Sequence, residues 1–216
     1  SESPEFTEPG FSGSPAAESE PKFPLASALL LVGVFFMTFI GRTSLSPLLL
    51  PIELELGISH AEGGSFFLII SIGLMLTMLL SGFVSQRLTH HRMIVLSAWT
   101  TAAGLVLIAS SGGLFAFRVG LLVLGAGAGF YLPSGVTTLT DVTPSGKLGR
   151  AIALHELGPI FGLAAAPLFA EIALTFTGWR AFMYILAAAS IVVGMIFGRF
   201  GSGGRFLGTP PQWRQL

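Results

Sequence analysis

An all-α membrane protein, built as a bundle of six transmembrane helices, is the fold class this sequence predicts, and three observations predict it. The chain of 216 residues is 52% apolar and only 10% charged, a balance that a water-soluble domain of this size cannot hide from solvent. Its apolar residues fall in six stretches, each long enough to cross a hydrocarbon core of about 30 Å at about 1.5 Å per residue. Most of these stretches carry no polar face of the kind a soluble helical bundle needs.

Residues Ser1 to Lys22 are acidic and rich in Pro, Ser and Gly. Without apolar periodicity, 1–22 reads as a solvated, disordered tail. A secretory signal would place a basic start before an apolar core, the reverse of the order found. The chain does not begin with methionine, so its first residue is read as the start of a fragment or of a processed form. A six-helix domain is expected over 23–200.

The first span runs from Pro24 to Ile52 and ends in the polar turn Glu53 to Ser59. Gly63 to Ser85 forms the second and Met93 to Ala116 the third, with Gln86 to Arg92 between them. Such a short connector demands an antiparallel hairpin. Phe117 to Thr140 is the fourth, Asp141 to Lys147 a turn, Leu148 to Phe176 the fifth and Ala181 to Gly198 the sixth. Residues 201–216 are Gly/Pro-rich and basic, a tail or the start of a linker between bundles. Pro47 and Pro51 in the first span, and Pro159 and Pro167 in the fifth, interrupt the backbone ladder and predict bends. Gly125 and Gly129 in the fourth span, and Gly158 and Gly162 in the fifth, have the small-xxx-small spacing that lets helix backbones approach closely.

Lysine and arginine together number 11 and so do aspartate and glutamate, so nothing favours nucleic acid as a partner and the basic residues serve as topology markers. Six spans put both termini on one side. Lys22, Arg87, Arg92, Lys147, Arg150, Arg199, Arg205 and Arg214 fall on that side, against Arg180 alone in the opposite loops. Both termini are therefore expected in the cytoplasm, with the chain in the cell or inner membrane. Cysteine is absent, which removes disulfides, thiolate metal sites and cysteine nucleophiles.

Arg42 is the leading functional residue. An ionisable side chain at membrane depth costs roughly 2.5–3.5 kcal/mol on insertion scales, so it faces a cavity, a partner or a substrate. Thr38, Arg42 and Ser46 stand four residues apart and are expected to share one helix face along a polar cavity. A guanidinium offers a planar fork that matches a carboxylate or phosphate, so Arg42 is read as binding an anion. The plainer alternative is that it snorkels to the outer interface or pairs with an acid, Glu171 being the candidate. His155 and Glu156 lie in the inner third of the fifth span, where they suit a proton relay; alternatively Glu156 pairs with Arg87, Arg92 or Arg150. Arg118, at the outer start of the fourth span, reads first as an interface anchor. His90, His91 and Arg92 read as a solvated basic turn, since two adjacent histidines face different ways and no third metal ligand is close in sequence. No glycine loop for phosphate, metal cluster or nucleophile with its base is present, so neither a cofactor nor catalysis is expected.

Five stretches together resemble the major facilitator superfamily of secondary transporters, in particular its amino-terminal six-helix half. Gly82-Phe83-Val84-Ser85-Gln86-Arg87-Leu88-Thr89-His90-His91 is similar to that family's Gly-x-x-x-Asp-Arg-x-Gly-Arg-Arg loop in its glycine and first arginine, with Gln86, Thr89 and the histidines replacing the rest. Arg118 with Gly125, Gly127 and Gly129 resembles the fourth-helix pattern. Asp141 to Pro144 followed by Gly149-Arg150-Ala151 looks like the loop before the fifth helix. Gly158-Pro159-Ile160-Phe161-Gly162 is similar to a motif of exchangers, and Gly178-Trp179-Arg180-Ala181-Phe182 to the start of the sixth helix.

The resemblance implies half of a two-bundle fold, a second bundle as partner, and a substrate site near the midplane between the halves. It implies gating roles for Arg87, Asp141 and Arg150 and proton handling for Arg118 if it points inward. Arg42 also resembles, loosely, the first-helix arginine of anion-handling branches. The rival expectation is a scaffold subunit of a larger protein or pigment-protein complex that transports nothing. A wet, open face around Arg42 favours the first; a packed one favours the second.

Overall fold

A computed structural model describes residues 25–208; the acidic segment 1–22 and residues 209–216 lie outside the described residues. Seven α-helices follow in order: α1 Leu25–Thr43, α2 Leu49–Leu56, α3 His60–Val84, α4 His90–Ala109, α5 Leu114–Val142, α6 Leu148–Phe176 and α7 Trp179–Phe200. Six of them, all but α2, are long and apolar enough to cross a membrane. The expected spans are all present, with ends shifted by a few residues. The largest shift is at the third, which starts at His90 and stops at Ala109.

The first span differs from expectation. It is not one bent helix but two, with the irregular stretch 44–48 between α1 and α2. Pro47 has no N–H to continue the ladder. Instead Leu45 N bonds Arg42 O at 3.3 Å and Ser46 N bonds Thr43 O at 3.2 Å, a tightening that ends α1. Gly57 then closes α2 in the left-handed conformation (φ 64°), which suits glycine. Ser59 caps α3 through a reciprocal box with Glu62.

Packing runs as a row, α3–α5–α4–α7–α1–α6, with α1 also touching α4 and α5 from the inside. Glycines set the closest approaches. A Cβ on Gly125 would strike the Ile70 carbonyl, and one on Gly129 would strike Thr77 and Leu74, so α3 lies directly on the α5 backbone. Across the bundle, a Cβ on Gly158 would sit 2.9 Å from the Val32 carbonyl, and one on Gly162 would sit 3.3 Å from the Ile40 nitrogen. These two glycines seat α6 on α1, with Pro159 buried beside them.

Two buried apolar clusters fill the interior. One gathers Ile40, Leu48, Phe66, Phe117, Leu124 and Met183, and the other Leu31, Phe35, Ile94, Tyr131 and Phe197. Because the row begins at α3 and ends at α6, those two helices do not cover each other. A cleft floored by α1 opens between them, and the outward faces of both are apolar and exposed, as at Leu68, Met75, Leu79, Phe161, Leu163 and Leu168.

Candidate binding cleft and polar network

Arg42 lies in the last turn of α1, where the carbonyl ends of the helix favour a cation. Its Nε donates to Thr38 O at 3.2 Å, and the guanidinium sits 5.0 Å from the Phe39 ring centroid. It lines a cavity of about 260 Å³ together with Phe39, Thr43, Ser46, Phe67, Ile70, Ser71 and Leu163. Ser71 and Leu163 are close to the middle of α3 and α6. The guanidinium is therefore near mid-height in the bundle. The break at Pro47 sets this height: α1 ends just beyond Arg42 and α2 continues the first span.

The expected partners of Arg42 fare differently. Ser46 lines the cleft. Thr38 does not: it is buried, and its hydroxyl turns back to donate to Phe35 O at 2.9 Å. Thr43 takes the place beside Arg42, its hydroxyl donating to Phe39 O at 3.1 Å and approaching Gly162 O at 3.4 Å, which ties α1 to α6. Glu171 stands exposed on α6.

A second polar group is buried toward the end of the bundle where α1 starts and α7 ends. Tyr131 on α5 donates its hydroxyl proton to Leu31 O at 2.8 Å, and the same oxygen lies 2.8 Å from His155 Nε2. His155 Nδ1 faces Glu156 Oε1 at 3.3 Å. Phe35 stacks on the imidazole with centroids 4.6 Å apart. The His155 side chain is 2% exposed and that of Glu156 53%. Glu156 thus meets the neighbouring histidine rather than Arg87, Arg92 or Arg150, all of which stand exposed.

The two ends of the bundle are tied differently. At the end bearing α2, Glu55 accepts from Arg180 Nε at 2.8 Å and from Trp179 Nε1 at 2.6 Å, while Arg180 also donates to Ala109 O at 2.6 Å and lies over the Trp179 ring. Glu55 stands outside the membrane-spanning helices. The Arg180 hydrogen bond holds its carboxyl below the usual carboxylate range; burial opposes this, and the Trp179 indole adds to it. Arg118 is half-buried near this end, its Nε enclosed with no bonding partner among the described residues.

At the other end, residues 201–208 fold back over the α3–α4 hairpin. His90 N donates to Phe206 O, His91 N to Gly204 O at 2.8 Å, Gly208 N to Ser85 O at 2.8 Å, and Gly204 N to Asp141 Oδ2 at 2.9 Å. Gly203 and Gly204 turn with φ 84° and 64°. This corrects the reading of His90 and His91 as a solvated turn. Both are buried, because the returning segment covers the start of α4. They do face different ways, His90 toward Ser134 on α5 and His91 toward Gly198 O on α7. Gln86, which stands where the resembling loop has aspartate, donates to Gly82 O.

Sequence reasoning missed Tyr131, Thr43, Ser71 and Glu55. Tyr131 carried a signal, one of only two tyrosines in the chain and placed within an apolar span. The Glu55–Arg180 pair spans 125 residues and left none.

Six long apolar helices define a multi-pass α-helical membrane protein. Residues 31–213 match the Major Facilitator Superfamily, and the chain belongs to that family. No curated protein matches it. Among solved structures, a bacterial homolog of the human lysosomal transporter Spinster, inward-facing and occupied, is similar with a TM-score of 0.74 at 17% identity, over 88% of this chain and 47% of that one. A POT family transporter bound to a thioalcohol-conjugated peptide gives 0.74 at 13% identity, over 88% and 42%. The peptide transporter POT in complex with sulfate gives 0.73 at 17%, over 88% and 41%. At these identities the likeness is one of fold, and the chain spans less than half the length of each.

Proposed function

We propose that the chain is the amino-terminal half of a secondary transporter that moves a small anion by alternating access, with Arg42 holding the anion. The observation that carries the reading is Arg42 itself: a guanidinium near mid-height in an open cleft, bonded to a backbone carbonyl rather than a carboxylate. With Nε held by Thr38 O, the rest of the fork remains to meet two oxygens of a carboxylate or phosphate. Ser46 borders it, as do Thr43 and Ser71, whose hydroxyl protons go to Phe39 O and Phe67 O. Family membership supports a carrier rather than a catalyst, and the fold supports a second six-helix bundle as the partner that closes the cleft between α3 and α6.

In this reading the terminal end faces the cytoplasm, since the basic residues cluster there. Asp141, through its bond to Gly204, and the exposed Arg87 and Arg150 form the gating surface at that end; Arg118 anchors the opposite interface.

The test is uptake of radiolabelled small carboxylates and phosphates by the complete two-bundle protein in liposomes. Arg42→Gln lowers uptake about 10- to 100-fold, the worth of hydrogen bonds to a charged group. Unaltered uptake overturns the assignment.

A further inference from the structure

We propose that the groove between α4 and α7, on the side of the bundle away from the cleft, is a binding site for one anionic phospholipid, its phosphate held by Arg92 and Arg199. The two helices meet without bulk. A Cβ on Gly194 would sit 2.8 Å from the Ala98 Cβ, and one on Gly198 would sit 3.3 Å from Val95 Cγ2. At Gly198 the surface opens into a cavity of about 430 Å³, lined by His91, Arg92, Val95, Leu96, Trp99 and Gly198. Its size lies within the range of small-ligand sites, about 300–1,000 Å³. His91 fixes one wall: its backbone N–H donates to Gly204 O at 2.8 Å, its ring stacks on Phe197 with centroids 4.9 Å apart, and Nε2 lies 3.3 Å from Gly198 O.

Polarity changes along the groove as it does along a phospholipid. Arg92 lies in the first turn of α4 and Arg199 in the last turn of α7, at the same end of the bundle. With α4 about 30 Å long, that end reaches the headgroup layer. Trp99 is seven residues, about 10 Å, further along α4. It is 51% exposed, and with Val95 and Leu96 it offers apolar surface to an acyl chain. Exposed Ile191 and Met195 carry apolar surface onward along α7.

Both arginines stand exposed. Neither enters an ion pair among the described residues, and Arg199 only approaches the Phe200 ring, at 5.9 Å. The first N–H groups of α4 are already used, His90 on Phe206 O, His91 on Gly204 O and Arg92 on Thr89 Oγ1. What remains for an anion is therefore the pair of side chains, not the helix end. A guanidinium meets a phosphate through two parallel bonds, and basic pockets between transmembrane helices on the cytoplasmic side seat anionic headgroups.

The α4–α7 contact is the middle link of the row that begins at α3 and ends at α6, so a second bundle seated on the cleft leaves this face to lipid. That second bundle, and the cytoplasmic leaflet as the source of the lipid, rest on the transporter reading above; the groove and its charges do not.

The experiment reads Trp99 fluorescence from the full chain in phosphatidylcholine vesicles into which brominated phosphatidylglycerol, or brominated phosphatidylcholine, is mixed at equal mole fraction. Bromine on an acyl chain quenches an indole it touches, and subtracting the signal of Trp99→Phe isolates that residue. With the same lipid in both leaflets the readout is blind to orientation and to uptake, so its failure leaves the transporter reading standing. Half-quenching of the native protein is expected at about a 10-fold lower fraction of phosphatidylglycerol than of phosphatidylcholine, the order given by two arginines near an anionic headgroup. Arg92→Gln combined with Arg199→Gln brings that ratio close to one. Gly198→Leu, which fills the groove floor without touching a charge, lowers it too, whereas Arg205→Gln, a loss of charge at the same end, keeps it. Equal quenching by both lipids in the native protein, a ratio retained in either groove variant, or an equal loss in Arg205→Gln overturns the site. So does a Trp99 that neither lipid reaches, as when a second copy of the chain or segment 1–22 covers the groove.

Discussion

Arg42 and Arg180 sit at ends of apolar helices in the same bundle, and their surroundings could hardly differ more. Arg180 is spent: one nitrogen on the Glu55 carboxylate, another on the Ala109 carbonyl, its plane over Trp179. Those bonds join α2, α4 and α7 at one end of the molecule. Arg42 makes one backbone bond and one ring contact, to Phe39, both within its own helix, and otherwise borders an open cleft near mid-height. The comparison teaches how to read a charge in an apolar chain. What separates a structural arginine from a functional one is how much of its fork the fold already uses.

That contrast can be broken by mutation. The largest effect on stability is expected at Arg180→Ala, which loses an ion pair, a carbonyl bond and a ring contact. Partial exposure discounts the pair, leaving about 1–2 kcal/mol, read as a lower Tm in detergent. Arg42→Ala removes one backbone bond and one ring contact beside an open cleft, and its stability stays within about 0.5 kcal/mol of native. Equal losses at both positions would erase the distinction.

Acid sharpens it next. Because Arg180 holds the Glu55 carboxyl below its unfolded value of about 4.3, the pair's stabilisation is present above that value and is lost as pH falls through the folded one. As pH falls below about 4.3, the native Tm should drop more steeply than that of Glu55→Gln; parallel curves would contradict the assignment. The smallest effect is expected at Thr38→Val. Its hydroxyl only returns to its own helix carbonyl, so both uptake and Tm should stay close to native, whereas a cleft-lining threonine would show a loss of uptake.

The six spans were legible because hydropathy survives in composition whatever the packing. Arg42 was legible for a related reason, a charge in an apolar stretch. Of its neighbours Ser46 was, on the same spacing, while Thr38 was not: four-residue spacing puts it on the face of Arg42, but a buried threonine satisfies its hydroxyl on the preceding turn. Thr43 and Ser71 joined the cleft only through the way α6 and α3 meet α1, a fact of tertiary structure. Pro47 was read as a bend where the helix in fact stops and restarts, so that Arg42 falls in the last turn of α1. His90 and His91 looked solvated because residues 201–208, which bury them, lie about 110 positions further on.

The most direct test sets the two arginines side by side in one assay. Arg42→Gln and Arg180→Gln, each in the chain joined by the second bundle proposed above, in liposomes and normalised to folded protein, are compared for anion uptake. The account predicts that Arg42→Gln loses uptake about 10- to 100-fold while Arg180→Gln keeps it. Retained uptake in Arg42→Gln, or equal loss in both, would contradict it.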